Sequence, residues 1–120
     1  MILAACEGRF WQYEIAEHED GYAVLMRDRD TGDLDAGGVT IFRTMPVAFA
    51  YAEMSAAFDR FAAAEENDGE EAETETARCV ETSERAFLDL SRRLHDGGIS
   101  AAAAESWERW HEDGPRRALH

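Results

Sequence analysis

The sequence predicts an α+β fold, a three-stranded antiparallel sheet followed by three helices in a single domain. Three observations carry this reading. The first 43 residues hold short stretches in which large apolar residues alternate with polar ones, the period of a strand. From residue 44 onward the apolar residues recur every three or four positions, the period of a helix. Finally, a chain of 120 residues that is 45% hydrophobic, with six Phe, three Tyr and three Trp, has material for one core.

The elements follow in order. Arg9 to Glu17 alternates, with Trp11, Tyr13 and Ile15 on one face and Gln12 and Glu14 on the other, as a half-buried strand does. Asp20-Gly21 marks a tight turn. Tyr22 to Arg27 is a second strand, with Tyr22, Val24 and Met26 sharing a face. Arg27 to Gly38 reads as a charged, glycine-rich hairpin connection with its tip at Asp30-Thr31-Gly32. Val39 to Arg43 is a third, β-branched strand, and the short connections favour an antiparallel meander.

Thr44 as cap and Pro46 in the first turn open a helix. Val47, Tyr51, Met54, Phe58 and Phe61 form an apolar stripe expected to lie on the sheet, and Phe49, Ala52, Ala56 and Ala63 form a smaller flank that permits close approach of another helix. Glu65 to Glu75 holds seven acids in eleven residues and no large apolar side chain, and reads as a solvated linker. Thr76 to His95 is a second helix with Val80, Phe87, Leu90 and Leu94 as its stripe, supported by Glu81–Arg85 and Asp89–Arg93 pairs and stopped at Gly97-Gly98. Ser100 caps a third helix running to about Asp113, ended by Gly114-Pro115. The domain thus divides into sheet plus first helix over 1–64, acidic linker over 65–75 and helical hairpin over 76–120.

Charge sets the functional bounds. The chain carries 26 Asp+Glu against 12 basic residues, all of them Arg, for a net charge of -14. Half of that net charge falls within 65–75. Such a field repels phosphates, so direct nucleic-acid binding is disfavoured. No apolar run approaches the roughly 20 residues of a membrane span. Absence of Lys beside abundant Arg, Ala and Gly fits GC-rich coding, and the acid excess also fits a halophile or a merely soluble surface. Leu3-Ala4-Ala5-Cys6 has the form of a lipoprotein cleavage box, but lacks the basic start and the apolar stretch of a signal peptide. Cys6 and Cys79 form no C-x-x-C pair and are expected to be reduced, Cys79 as an inert buried thiol, in a cytoplasmic protein of a bacterial host.

The motifs of chemistry fail on their surroundings. Asp30-Thr31-Gly32 matches the triplet of aspartic proteases, but Arg29 and Asp33 flank it where that chemistry needs desolvated carboxylates. Asp28, Asp30, Asp33 and Asp35 resemble a cation loop, yet Asp33 and Val39 stand where an EF-hand needs Gly and Glu. His18, His95, His111 and His120 lack zinc-site spacing, and no phosphate loop, nucleophile elbow or dinucleotide fingerprint is present. The expectation is a protein that is not an enzyme and uses neither metal nor cofactor.

Two acidic features remain as partner-binding candidates. One is Glu65, Glu66, Asp68, Glu70, Glu71, Glu73 and Glu75 of the linker. The other is Glu105, Glu108 and Glu112, on the helical face opposite Trp107, Trp110 and Ala103. Regularly spaced carboxylates can stand where phosphates would. In this the chain resembles the small acidic inhibitor proteins of phages and mobile elements, of the anti-CRISPR and anti-restriction type. The resemblance implies a non-enzymatic inhibitor that binds a basic protein surface, on a nuclease or a CRISPR effector subunit. An accessory interaction module, a homodimer built through the third helix, and an immunity protein or antitoxin for a basic toxin are the alternatives.

Overall fold

The computed structural model describes residues 2–35, 38–67 and 70–100, and side chains within these except those of 64–73 and Ser100. Strands β1 (Ile2–Glu7), β2 (Trp11–His18), β3 (Gly21–Asp28), β4 (Thr40–Phe42) and β5 (Ile99–Ser100) form one antiparallel sheet in sequential order. Helices α1 (Met45–Asn67) and α2 (Glu70–Arg93) lie between β4 and β5 in the chain.

The α+β class and the antiparallel order match the sequence, and the strand count does not. Periodicity hides β1, because Ile2-Leu3-Ala4-Ala5-Cys6 has no alternation. Pairing creates the strand instead: Cys6 lies opposite Tyr13 and Ala4 opposite Ile15, with an irregularity between Ile2 and Ala4. At the other edge Ser100 is not a helix cap but pairs with Thr40, beside Ile99 with Ile41. The predicted third helix lies outside the described residues.

The β2–β3 turn is shifted one residue from the expected Asp20-Gly21. His18 pairs with Gly21, so Glu19 and Asp20 form the loop and Gly21 begins β3. Gly21 has φ 142°, and a Cβ there would overlap the Phe42 carbonyl oxygen, so both conformation and close strand approach require glycine. The Asp30-Thr31-Gly32 tip forms as expected. Gly32 N donates to the Asp28 carbonyl at 2.8 Å, and Arg27 bridges to Leu34 across the connection.

The core reverses the assignment of faces on α1. Tyr13, Ile15, Val24 and Phe42 pack with Val47, Ala48, Ala52 and Ala56. The alanine flank therefore meets the sheet, while only Val47 of the large stripe is fully buried; Tyr51, Met54 and Phe61 are half-buried and Phe58 is 43% exposed. Small residues let the helix axis approach the sheet closely, and the bulky side chains fill the space beside the contact. Ala50 and Ala57 on the far side of α1 are buried as well, which fits a helix covered on two sides.

Helix α2 is that second cover, and α1 is its main neighbour. Thr44 contacts Asp96, Tyr51 contacts Phe87 and Arg60 contacts Cys79, three pairs that straddle Asp68-Gly69 almost symmetrically. The two helices are thus an antiparallel hairpin. Phe87 brings α2 to the sheet at Phe42, where ring centroids lie 6.0 Å apart, edge to face. At the base, Asp96 is buried and its carboxylate accepts from Arg43 N, Thr44 N and Thr44 Oγ1. Thr44 remains the residue before α1, and Ala48 N donates to its carbonyl. Its hydroxyl serves Asp96 rather than the first turn. His95 adopts φ 50° just beyond the end of α2 instead of sitting in its last turn.

Candidate functional site

The structure redraws the acidic segment. It is no linker: residues 65–67 close α1 and residues 70–75 open α2. Glu and Ala favour helix, and the only strong breaker, Gly69, falls at the turn-around. The hairpin reaches past the sheet before it turns. Asp59 Oδ2 accepts from Phe10 N and Trp11 N, and Arg60 Nη1 donates to the Glu7 carbonyl, so these two residues mark the β1–β2 edge of the sheet. Asn67 lies seven residues further along α1, a protrusion of about 10 Å at helical rise.

This backbone gathers Glu65, Glu66, Glu70, Glu71, Glu73 and Glu75 at one end of the molecule. Side chains are described only from Thr74 onward, and Glu75 is exposed. Asp68 lies outside the described residues, as do Glu105, Glu108 and Glu112 with Trp107 and Trp110. Glu70, Glu71 and Glu73 fall in the first turn of α2, and Glu65 and Glu66 in the last turn of α1, which has no basic residue.

A second feature went unseen in the sequence. Trp11, Tyr13 and Met26 on the sheet face Tyr51, Met54 and Phe58 on α1 across an open groove of about 500 Å³. Burial, Asp59 and Tyr51 push the Tyr13 phenol up to about 12. Asp59 lines the groove but is structural: its carboxylate serves two backbone donors, and a Cβ on Gly8 would overlap it. The groove therefore offers aromatic walls rather than an acid–base pair. Its signal was present as two stripes of large residues facing each other, since two bulky faces cannot close as tightly as an alanine face.

Elsewhere the polar groups serve the fold. Asp28 Oδ1 accepts from Asp30 N and Thr31 N, which turns the supposed cation loop into a capped turn. Glu14 is buried on the sheet face away from the helices. Arg27 Nε lies 3.2 Å from both its carboxylate oxygens, and Gln12 adds a bond at 3.0 Å. Cys79 is exposed, not buried as expected, because α2 presents that face outward; its Sγ lies 3.9 Å from Arg60 Nη2. Cys6 is half-buried, and burial together with Glu53 pushes its thiol up against the pull of Arg60. Both thiols are free. Among the described residues no three His, Cys, Asp or Glu side chains are grouped to hold a metal ion, and no helix is long and apolar enough to cross a membrane.

The chain matches no protein-family model, no curated protein sequence and no solved structure.

Proposed function

We propose that this protein is a non-enzymatic inhibitor that presents the acidic tip of its helical hairpin to a basic surface on a nucleic-acid-handling protein, such as a nuclease or a CRISPR effector subunit. One observation carries the reading: six carboxylates, Glu65, Glu66, Glu70, Glu71, Glu73 and Glu75, lie on the adjoining ends of two helices that reach beyond the sheet. Helical backbone fixes the spacing of these charges, so they lose less freedom on association than a flexible linker would. Glu105, Glu108 and Glu112 are a second acidic row that the same partner could use.

The test is affinity capture from bacterial lysate with wild-type bait and with Glu65, Glu66, Glu70 and Glu71 changed to Gln. A basic nuclease or effector held by wild type, released by salt and lost from the quadruple variant is the expected result. Equal capture by both baits sinks the tip as the contact. Self-association with no heterologous partner points instead to an accessory module or homodimer.

A further inference from the structure

The groove between the sheet and α1 combines aromatic rings with a single charge. Tyr13 and Val24 line it as buried residues, Trp11 and Tyr51 as half-buried ones, and Phe58 stands exposed at its rim. Strand pairing sets Met26 beside Tyr13, and helical spacing brings Tyr51, Met54, Ser55, Phe58 and Asp59 to one face of α1. Of the described residues that line the groove, Asp59 alone is charged, and none is basic. Phe10 N and Trp11 N hold its carboxylate, and such neutral donors position the charge without cancelling it. Among the described residues it has no ion-pair partner. The charge is felt inside the groove, because Asp59 and Tyr51 both add to the burial that pushes the Tyr13 phenol up. The open volume of about 500 Å³ falls within the usual span of small-molecule sites.

We propose that this groove binds a small quaternary ammonium ligand that carries an apolar substituent. The faces of Trp and Tyr attract a cation through the ring quadrupole, and this attraction grows where water is excluded. Donor arithmetic then selects among cations. A guanidinium brings five N–H groups and a primary ammonium three, and each one buried without an acceptor costs free energy. The polar side chains of the lining are three hydroxyls and one carboxylate that already accepts two backbone bonds. A quaternary ammonium brings no N–H group, and its charge is spread over methyl groups, so it gives up less hydration than a compact ammonium. Met26 and Met54 suit an irregular alkyl surface, since their thioethers are flexible and polarizable. The net charge of -14 draws in any cation and turns away anions of the same size. A neutral molecule of the same shape gains the apolar contact and neither electrostatic term. This site is distinct from the acidic tip, and the inference does not rest on the partner proposed for that tip.

The test titrates the full-length protein, isotope-labelled for NMR, at constant ionic strength. Its probes are benzyltrimethylammonium, the neutral isostere neopentylbenzene, and benzylammonium. Expected is saturable binding of benzyltrimethylammonium, at least about tenfold tighter than either of the other two. Resonance changes should centre on Trp11, Met54 and Phe58, and the ligand's N-methyl protons should shift upfield over the rings. Phe58→Ala, at an exposed position, should weaken binding several-fold with circular dichroism unchanged. Asp59→Asn keeps an acceptor for Phe10 N and Trp11 N, and should weaken the cation while leaving neopentylbenzene unaffected. The comparison of the three probes on wild type decides the matter without any variant. Absence of saturable binding overturns the proposal. Equal affinity for neopentylbenzene overturns it as well, by making the groove merely apolar, and equal affinity for benzylammonium removes the selection for a quaternary head. Resonance changes centred on Glu70 to Glu75 instead would identify counterion binding at the acidic tip and refute the site.

Discussion

Replacing Asp96 with Ala should be among the most damaging single changes outside the apolar core. Asp96 is 3% exposed, and its carboxylate accepts from Arg43 N at 3.1 Å, Thr44 N at 2.9 Å and Thr44 Oγ1 at 3.0 Å. Its own N–H donates to the Ser91 carbonyl at 2.9 Å, which holds it in place. The alanine variant leaves two backbone donors and a hydroxyl without their acceptor. A hydrogen bond to a charged group contributes about 1.5–3 kcal/mol, and each orphaned buried donor costs about 1–3 kcal/mol. The three share one carboxylate and are partly exposed to water, so they do not add in full. The charge also faces the start of α1, where the dipole adds about 0.5 kcal/mol. The expected loss is about 3–5 kcal/mol. At about 4 °C per kcal/mol this lowers Tm by roughly 12–20 °C. Asp96→Asn keeps one acceptor and should fall between. Urea denaturation is the assay; a shift under about 1 kcal/mol with unchanged slope would refute the claim that this residue locks the base of the hairpin.

Phe42 is 1% exposed between Tyr51 and Phe87, so Phe42→Ala should cost about 3–5 kcal/mol, whereas Phe58→Ala at a 43% exposed position should cost under about 1 kcal/mol. Equal melting temperatures for the two variants would contradict the packing. Gly21→Ala meets both φ 142° and the Phe42 carbonyl and should destabilise by about 2 kcal/mol or more; a neutral effect in thermal melts counts against that turn. Tyr13, pushed up to about 12 from 10.0, keeps its proton after the unfolded chain has lost it. Stability is therefore unaffected below about pH 10 and declines from there to about pH 12, the sign for a group that binds its proton more tightly when folded. Ultraviolet titration of Tyr13→Phe against wild type should remove the latest-ionising phenol, and identical curves would exclude the assignment.

Periodicity made β2, β3 and β4 legible, because Trp11, Tyr13 and Ile15 or Tyr22, Val24 and Met26 declare one face. It could not show β1, whose alanines declare neither face and whose order comes from pairing with β2. On α1, hydropathy favours the large stripe, while packing distance favours Ala48, Ala52 and Ala56; the second decides the contact and opens the aromatic groove. The acidic segment misled through charge. Seven acids read as a solvated linker, yet Glu is a good helix former, and the two helices pack against each other. Asp96 gave no local signal, since its partners are more than fifty residues away along the chain.

The mirror-like pairing of the two arms has a consequence for how this molecule can vary. Contacts at Thr44–Asp96 and Tyr51–Phe87 fix the arms near the sheet. Matched insertions of seven residues in each arm, just before and after Asp68-Gly69, keep both apolar faces in phase to within about 20°. Each such pair lengthens the arm by about 10 Å and leaves the rest of the domain in register. An unmatched insertion instead slides one arm past the other. The hairpin therefore behaves as an adjustable ruler, whose length can change without redesigning the body that carries it.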